Sequence, residues 1–225
     1  MKKILKLSLI ILLVVLLAFA ITGCGEKEEN NVDVEQDNGK SKTYNLFSQV
    51  FSGNSYIMSF EGEMDLGEGT ESAVLTVAVK ENNVYTDVDA TSQHLSVIVK
   101  DNTTYIISHD EKICMTTQGE DESILGDDML LISEDQLNEM ENQEYTTGKE
   151  TIDGTEYEYE EYKDQEIGIS ERYYFSGSDL KYVKSIDEDG EEEIMKIIKL
   201  SSDVDSAIFN VPEGYQVIDA SSLEQ

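Results

Sequence analysis

Tyr56-Ile57-Met58-Ser59-Phe60-Glu61-Gly62-Glu63-Met64-Asp65-Leu66 decides the fold. Tyr56, Met58, Phe60, Met64 and Leu66 alternate with Ser59, Glu61, Glu63 and Asp65. A period of two describes a strand with one buried face and one wet face. A helix would instead bring apolar residues back every three or four positions. The alternation continues through Ala73, Leu75, Val77 and Val79. Asn82-Asn83 supplies a turn, because Asn tolerates positive φ. Val84, Thr86 and Val88 follow, then Leu95, Val97 and Val99. The Lys100-Asp101-Asn102 turn leads to Tyr105 and Ile107, and His109-Asp110-Glu111 leads to Ile113 and Met115. This is a six-stranded meander.

The pattern changes on either side. Upstream, Tyr44, Phe47, Val50 and Phe51 fall at helical spacing, and Gly53-Asn54 ends that helix. Downstream, Ser133-Glu134-Asp135-Gln136 has the form of a capping box, which predicts a helix over 134–141. Met129 to Ile132, just before it, are expected to pack on the sheet. A second run of strands follows. Its hairpin turns at Asp153-Gly154, and Tyr157 and Tyr159 alternate with Glu156, Glu158 and Glu160. Tyr173 and Phe175 pair with Leu180, Tyr182 and Ile186, and Asp189-Gly190 turns the chain into Ile194, Ile198 and Leu200. Helix, meander, helix, meander excludes parallel βαβ alternation, so the class is α+β with an antiparallel sheet of about eleven strands.

Outward from the domain, the N-terminus carries a second signal. Lys2, Lys3 and Lys6 precede an apolar run from Leu7 to Ala20, and no further charge appears until Glu26. The run ends in Ile21-Thr22-Gly23-Cys24, which resembles the lipobox of bacterial lipoproteins. That resemblance implies a diacylglycerol on the Cys24 sulfur and cleavage of the bond before it. The run is shorter than the about 20 apolar residues that span a bilayer, and its layout fits a secretory signal. The expected organisation is a lipoprotein signal peptide at 1–23, lipidated Cys24 with a flexible acidic tether over 24–42, and a domain over 43–225. Localisation follows: the extracytoplasmic face of the cell membrane, lipid-anchored, with composition favouring a Gram-positive host.

Charge narrows the partners. Sixteen Lys and Arg stand against 48 Asp and Glu, a net of −32; without the three lysines of residues 1–23 the balance is −35. Nucleic acid is excluded, since phosphate contacts need clustered cations, and the charge opposes direct docking on an anionic leaflet. With Cys24 assigned to lipid, Cys114 has no partner for a disulfide and reads as a small strand residue.

No cofactor, metal site or catalytic residue is expected. Asp187-Glu188-Asp189-Gly190 suggests a calcium loop, but Ser185 and Lys196 occupy the positions where an EF-hand needs its first ligand and its Glu. His94 sits in a strand pattern. His109-Asp110-Glu111 lacks metal-ligand spacing and reads as a solvated turn. Seven of the 12 tyrosines lie between Tyr145 and Tyr182, as expected of cross-strand aromatic packing or of a ligand-facing wall.

The tail Ala207-Ile208-Phe209-Asn210-Val211-Pro212-Glu213-Gly214-Tyr215 resembles the Phe-x-[Val/Ile]-Pro-x-Gly-[Phe/Tyr] ending of the lipoprotein-carrier-like (LolA/LppX-like) half-barrel superfamily. The layout over roughly 44–219 is similar as well. The resemblance implies a curved, incompletely closed sheet wrapped over one or two short helices, with an apolar concave side able to hold acyl chains. No catalytic residues carry over, so a non-enzyme is expected. Alternation puts Tyr56, Met58, Phe60, Leu75, Val77 and Val79 on one side of the sheet as candidate ligand-binding residues. The expected function is a membrane-anchored lipoprotein binding or carrying a hydrophobic or amphiphilic ligand. The alternative is a cell-surface interaction or sensory module with a filled core and a protein partner.

Overall fold

The computed structural model describes residues 40–66, 69–118, 134–164 and 168–223. Two helices, α1 (Lys42–Phe51) and α2 (Glu134–Asn142), accompany β1 (Ser55–Asp65), β2 (Thr70–Lys80), β3 (Asn83–Ala90), β4 (His94–Lys100), β5 (Thr103–Ser108) and β6 (Ile113–Gln118). The second run holds β7 (Tyr145–Ile152), β8 (Thr155–Asp164), β9 (Ile169–Ser176), β10 (Asp179–Ile186) and β11 (Glu192–Ser201), with β12 (Gln216–Asp219) near the end. All twelve join one open curved sheet in the order β12-β6-β5-β4-β3-β2-β1-β11-β10-β9-β8-β7. The meanders meet where β11 returns to pair with β1.

The six expected strands are present, and the helix expected over 134–141 spans Glu134–Asn142. The stretch from Met129 to Ile132, and Cys24 with its leader, lie outside the described residues. β12 is a strand beyond the expected eleven. It has four residues and pairs parallel to β6, too short for alternation to announce it.

Two hairpins show why the chain turns where it does. Asp101 and Asn102 both take positive φ (53° and 58°), which a two-residue hairpin turn requires. In the β10–β11 turn the Asp187 carboxylate accepts the backbone N–H groups of Asp189 (3.0 Å) and Glu191 (2.8 Å). The acidic run is therefore a self-bonded hairpin turn, as the missing EF-hand ligands imply.

Bulges decide which aliphatics face inward. In the β1–β11 register Ser59 faces Lys199 while Phe60 faces Ile197, leaving Ile198 as the extra residue. Met195, Ile197 and Leu200 consequently join the core, whereas Ile194 and Ile198 are 41% and 51% exposed. Ile194, Ile198 and Leu200 share one parity in the sequence, and one inserted residue puts the first two on the outer face. A second irregularity between Leu180 and Tyr182 puts these two on opposite faces: Leu180 pairs with Phe175, Tyr182 with Tyr174.

The concave face holds the larger core: Phe47, Val50 and Phe51 of α1, Leu137 and Met140 of α2, and residues of β1, β2 and β8–β11. The convex face holds a smaller one. There Val204 and Phe209 cover Ile57, Ala78, Ile98, Ile107 and Cys114, with Val211 and Tyr215 at the margin. The tail motif is the lid of this outer core. Lys80 Nζ fixes its start by donating to the Val204 carbonyl and Ser206 Oγ, both at 2.8 Å. Cys114 is fully buried there, and burial pushes its thiol pKa up.

Candidate functional site

The concave face is built row by row from the strand pairing. One row runs Met58, Val77, Thr86, Val97, Ile106, Met115. The next runs Phe60, Leu75, Val88, Leu95. Exposure rises along both. Met58, Val77 and Thr86 are buried, Val97 and Ile106 are half-buried, and Met115 is 39% exposed. Phe60 and Leu75 are buried, and Leu95 is 37% exposed. The six candidate residues Tyr56, Met58, Phe60, Leu75, Val77 and Val79 do share one face, and each is 2–9% exposed. They lie in the core with α1; Phe51 stacks edge-on against Tyr56 with centroids 4.8 Å apart.

What holds α1 over them is a set of contacts from β8. Ser41 caps the helix, its Oγ accepting from the Tyr44 N–H at 2.9 Å. Glu160 then accepts from the Lys42 N–H (2.8 Å), the Thr43 N–H (2.8 Å) and Thr43 Oγ1 (2.7 Å). A carboxylate at a helix N-terminus meets unpaired N–H donors and the positive end of the dipole. Tyr162 Oη donates to Ser41 Oγ at 2.6 Å. The two described helices, about 10 Å wide, cover about four strands spaced about 4.8 Å apart. Among the described residues, the concave side of the β4–β6 wing is exposed at Leu95 and Met115 and half-buried at Val97 and Ile106, whereas Val99 and the polar Thr104 are buried.

The tyrosines divide between the faces. Tyr145, Tyr162 and Tyr173 line the concave side. Tyr157 packs on Tyr182 (5.4 Å) and Tyr159 on Tyr174 (5.5 Å), across strands on the other face. Cross-strand packing, not a single wall, accounts for them. On that outer face Glu150 accepts from Arg172 Nη1 (2.9 Å), Tyr174 Oη (2.7 Å) and Lys184 Nζ. These donors hold its carboxyl below the ordinary range despite the opposing desolvation. Gly148 has a local reason to be glycine: a Cβ there would come within 2.5 Å of the Tyr159 ring.

Glu171 is the unusual group on the concave side. It is 4% exposed and accepts from Tyr173 Oη at 2.6 Å. Burial pushes its pKa up from 4.5 to about 7.

A polar cluster that the sequence reading missed lies on the convex side of the wing. The β4–β5 hairpin puts His94 beside His109, and their rings stack with centroids 3.9 Å apart. His94 Nε2 is 3.0 Å and His109 Nε2 3.7 Å from Asp87 Oδ1. Ser96 Oγ donates to the same oxygen at 2.6 Å and also meets His109 Nε2. Tyr215 Oη, from the tail, is 2.9 Å from His109 Nδ1. The His109 side chain is 19% exposed, so it is not a solvated turn residue. Burial, then the neighbouring His94, holds its pKa below the ordinary value. The signal was available: a hairpin centred on Asp101-Asn102 sets His94 opposite His109.

No protein-family model matches the chain, and no curated protein matches it. Solved structures do. LprF from Mycobacterium bovis has a TM-score of 0.42 at 10% identity, over 78% of this chain and 99% of that one. The LolA superfamily protein NE2245 from Nitrosomonas europaea has a TM-score of 0.32 at 11% identity, covering 76% of this chain and 98% of that one. An uncharacterized conserved protein from Thermus thermophilus has a TM-score of 0.42 at 8% identity, over 80% of this chain and 99% of that one.

Proposed function

We propose that this chain is an extracytoplasmic lipoprotein, held to the membrane by diacylglycerol on Cys24, whose half-barrel binds an apolar ligand such as an acyl chain. The supporting observation is the rise in exposure along two rows of the concave face, those of Met58 and Phe60. Apolar residues continue from the closed floor at Met58 and Val77 to the open wing at Leu95, Val97, Ile106 and Met115. An apolar surface facing a concavity is stabilised by any apolar body that excludes water from it, at about 25 cal/mol per Å². The six floor residues border this surface and complete it from below. The ligand lies on the wing, where helical cover ends.

The anchor rests on Ile21-Thr22-Gly23-Cys24 after an uncharged run. Two acyl chains give a stable anchor where one gives only a marginal one. With a body of net charge −35 beyond residue 23, the domain stands off from an anionic leaflet.

Native mass spectrometry of the protein purified from membranes tests the binding reading. A mass increment of lipid size that solvent extraction removes is expected. A bare domain that also fails to take up added fatty acid favours the interaction or sensory module with a filled core. Metabolic labelling with a fatty-acid analogue tests the anchor: Cys24→Ala should lose the label, and equal labelling of the variant excludes the lipobox.

A further inference from the structure

The geometry points to a transition-metal site, of the kind that takes Zn2+, on the convex side of the β3–β5 wing, with Asp87, His94 and His109 as its ligands. Each offers one ligand atom, and the three atoms lie within 4.8 Å of one another. Two imidazoles and a carboxylate are the ligand set of an open zinc site, whose fourth position is left to water. Bonds of about 2.0–2.1 Å in a tetrahedral shell place neighbouring ligand atoms about 3.3 Å apart. The distances from Asp87 Oδ1 to the two Nε2 atoms, 3.0 and 3.7 Å, bracket that separation. The rings are stacked with planes 24° apart, so the imidazoles turn out of the stack and Ser96 Oγ withdraws from between Asp87 and His109 for both Nε2 atoms to meet one ion.

The surrounding groups suit the same role. A metal-bound imidazole usually donates its second N–H to an oxygen, which fixes the ring and its tautomer. His109 Nδ1 has Tyr215 Oη at 2.9 Å, and His94 Nδ1 has Asp89 Oδ1 at 3.9 Å, within reach of a water bridge. Both rings therefore have an oxygen behind Nδ1 and direct Nε2 toward Asp87. In the metal-free network Ser96 gives its proton to Asp87, so His109 Nε2–H donates to Ser96 Oγ and Nδ1 accepts from Tyr215. Metal binding swaps the tautomer: Nε2 becomes the ligand and Nδ1–H donates to Tyr215 Oη. The swap moves the ring proton without changing its charge. Because Tyr215 belongs to the tail segment over the outer core, the bound metal also ties the tail to the wing.

The site is tested on the full chain in detergent, stripped with chelator and titrated with Zn2+ by calorimetry. Excess Mg2+ is kept present to occupy the many carboxylates. One Zn2+ per chain is expected, with Co2+ giving the intense visible absorption of a tetrahedral site. His94→Gln and Asp87→Asn should each weaken Zn2+ binding at least 10-fold. Tyr215→Phe should weaken it by a smaller factor and leave the stoichiometry unchanged. His94, partly exposed, is the position where substitution disturbs folding least, and far-UV circular dichroism checks that the variant folds. Binding absent from the wild type, or unchanged in a folded His94→Gln, overturns the site.

Discussion

Among the described residues, the concave face is closed over β1 and β2, while over β4 to β6 it is buried at Val99 and Thr104 and exposed at Leu95 and Met115. The difference is what lies over the strands. Over β1 and β2, α1 brings Phe47, Val50 and Phe51 into a packed core with Tyr56, Met58 and Phe60. Over the wing, Leu95 and Met115 stay more than one-third exposed. Apolar patterning therefore identifies a face that needs covering, and helix placement decides whether protein or ligand covers it. That placement rests on Glu160, a residue of the opposite meander.

Truncation in the closed half is expected to have the largest effect. Phe60→Ala should cost about 3–5 kcal/mol, as lost burial plus a cavity, whereas Met115→Ala in the wing should cost under about 1 kcal/mol. Urea unfolding of both variants checks this, and equal losses would remove the distinction between the halves. Glu171 gives the next effect. The folded protein keeps a proton that the unfolded chain loses from pH 4.5, so stability falls as pH rises from there through about 7. Glu171→Gln should remove this fall, gaining on the order of 3 kcal/mol at pH 8 and almost nothing at pH 4.5. Melting temperatures at both values measure it; an unchanged pH slope would show that Glu171 is not held neutral.

Glu160→Gln should cost about 1–3 kcal/mol, because a Gln oxygen cannot serve both backbone donors and the Thr43 hydroxyl as a carboxylate does. Hydrogen exchange should quicken first in α1. Exchange rising equally in β4 to β6 would mean that α1 is not docked by this contact alone. The smallest stability change is expected for Leu95→Gln, within about 0.5 kcal/mol for a partly exposed side chain.

The sequence made the strands legible and left their faces partly hidden. Period-two runs and turns such as Asp101-Asn102 give the hairpins directly, because turn chemistry and pleat are local. Ile194 and Ile198 mislead because a bulge depends on the partner strand. Tyr157 and Tyr159 alternate with Glu156, Glu158 and Glu160, and nothing in that alternation marks Glu160 as buried. It is 5% exposed because the α1 N-terminus needs a carboxylate, whereas Glu158 stays exposed and pairs with Lys42 Nζ at 2.8 Å. The six floor residues were legible as one face. The contact that docks α1 over them was not, because it joins residues 117 apart in the chain. The His94–His109 pair was hidden by reading each histidine with its sequence neighbours instead of its cross-strand partner.

A fluorescent fatty-acid titration of the wild type beside the Leu95→Gln, Met115→Gln double variant tests the open wing most directly. Saturable binding at micromolar ligand is expected for the wild type, weakened about 10-fold or more by two polar groups set into the apolar wing. No saturable binding by the wild type, or equal binding by both proteins, would contradict an acyl chain on β4 to β6.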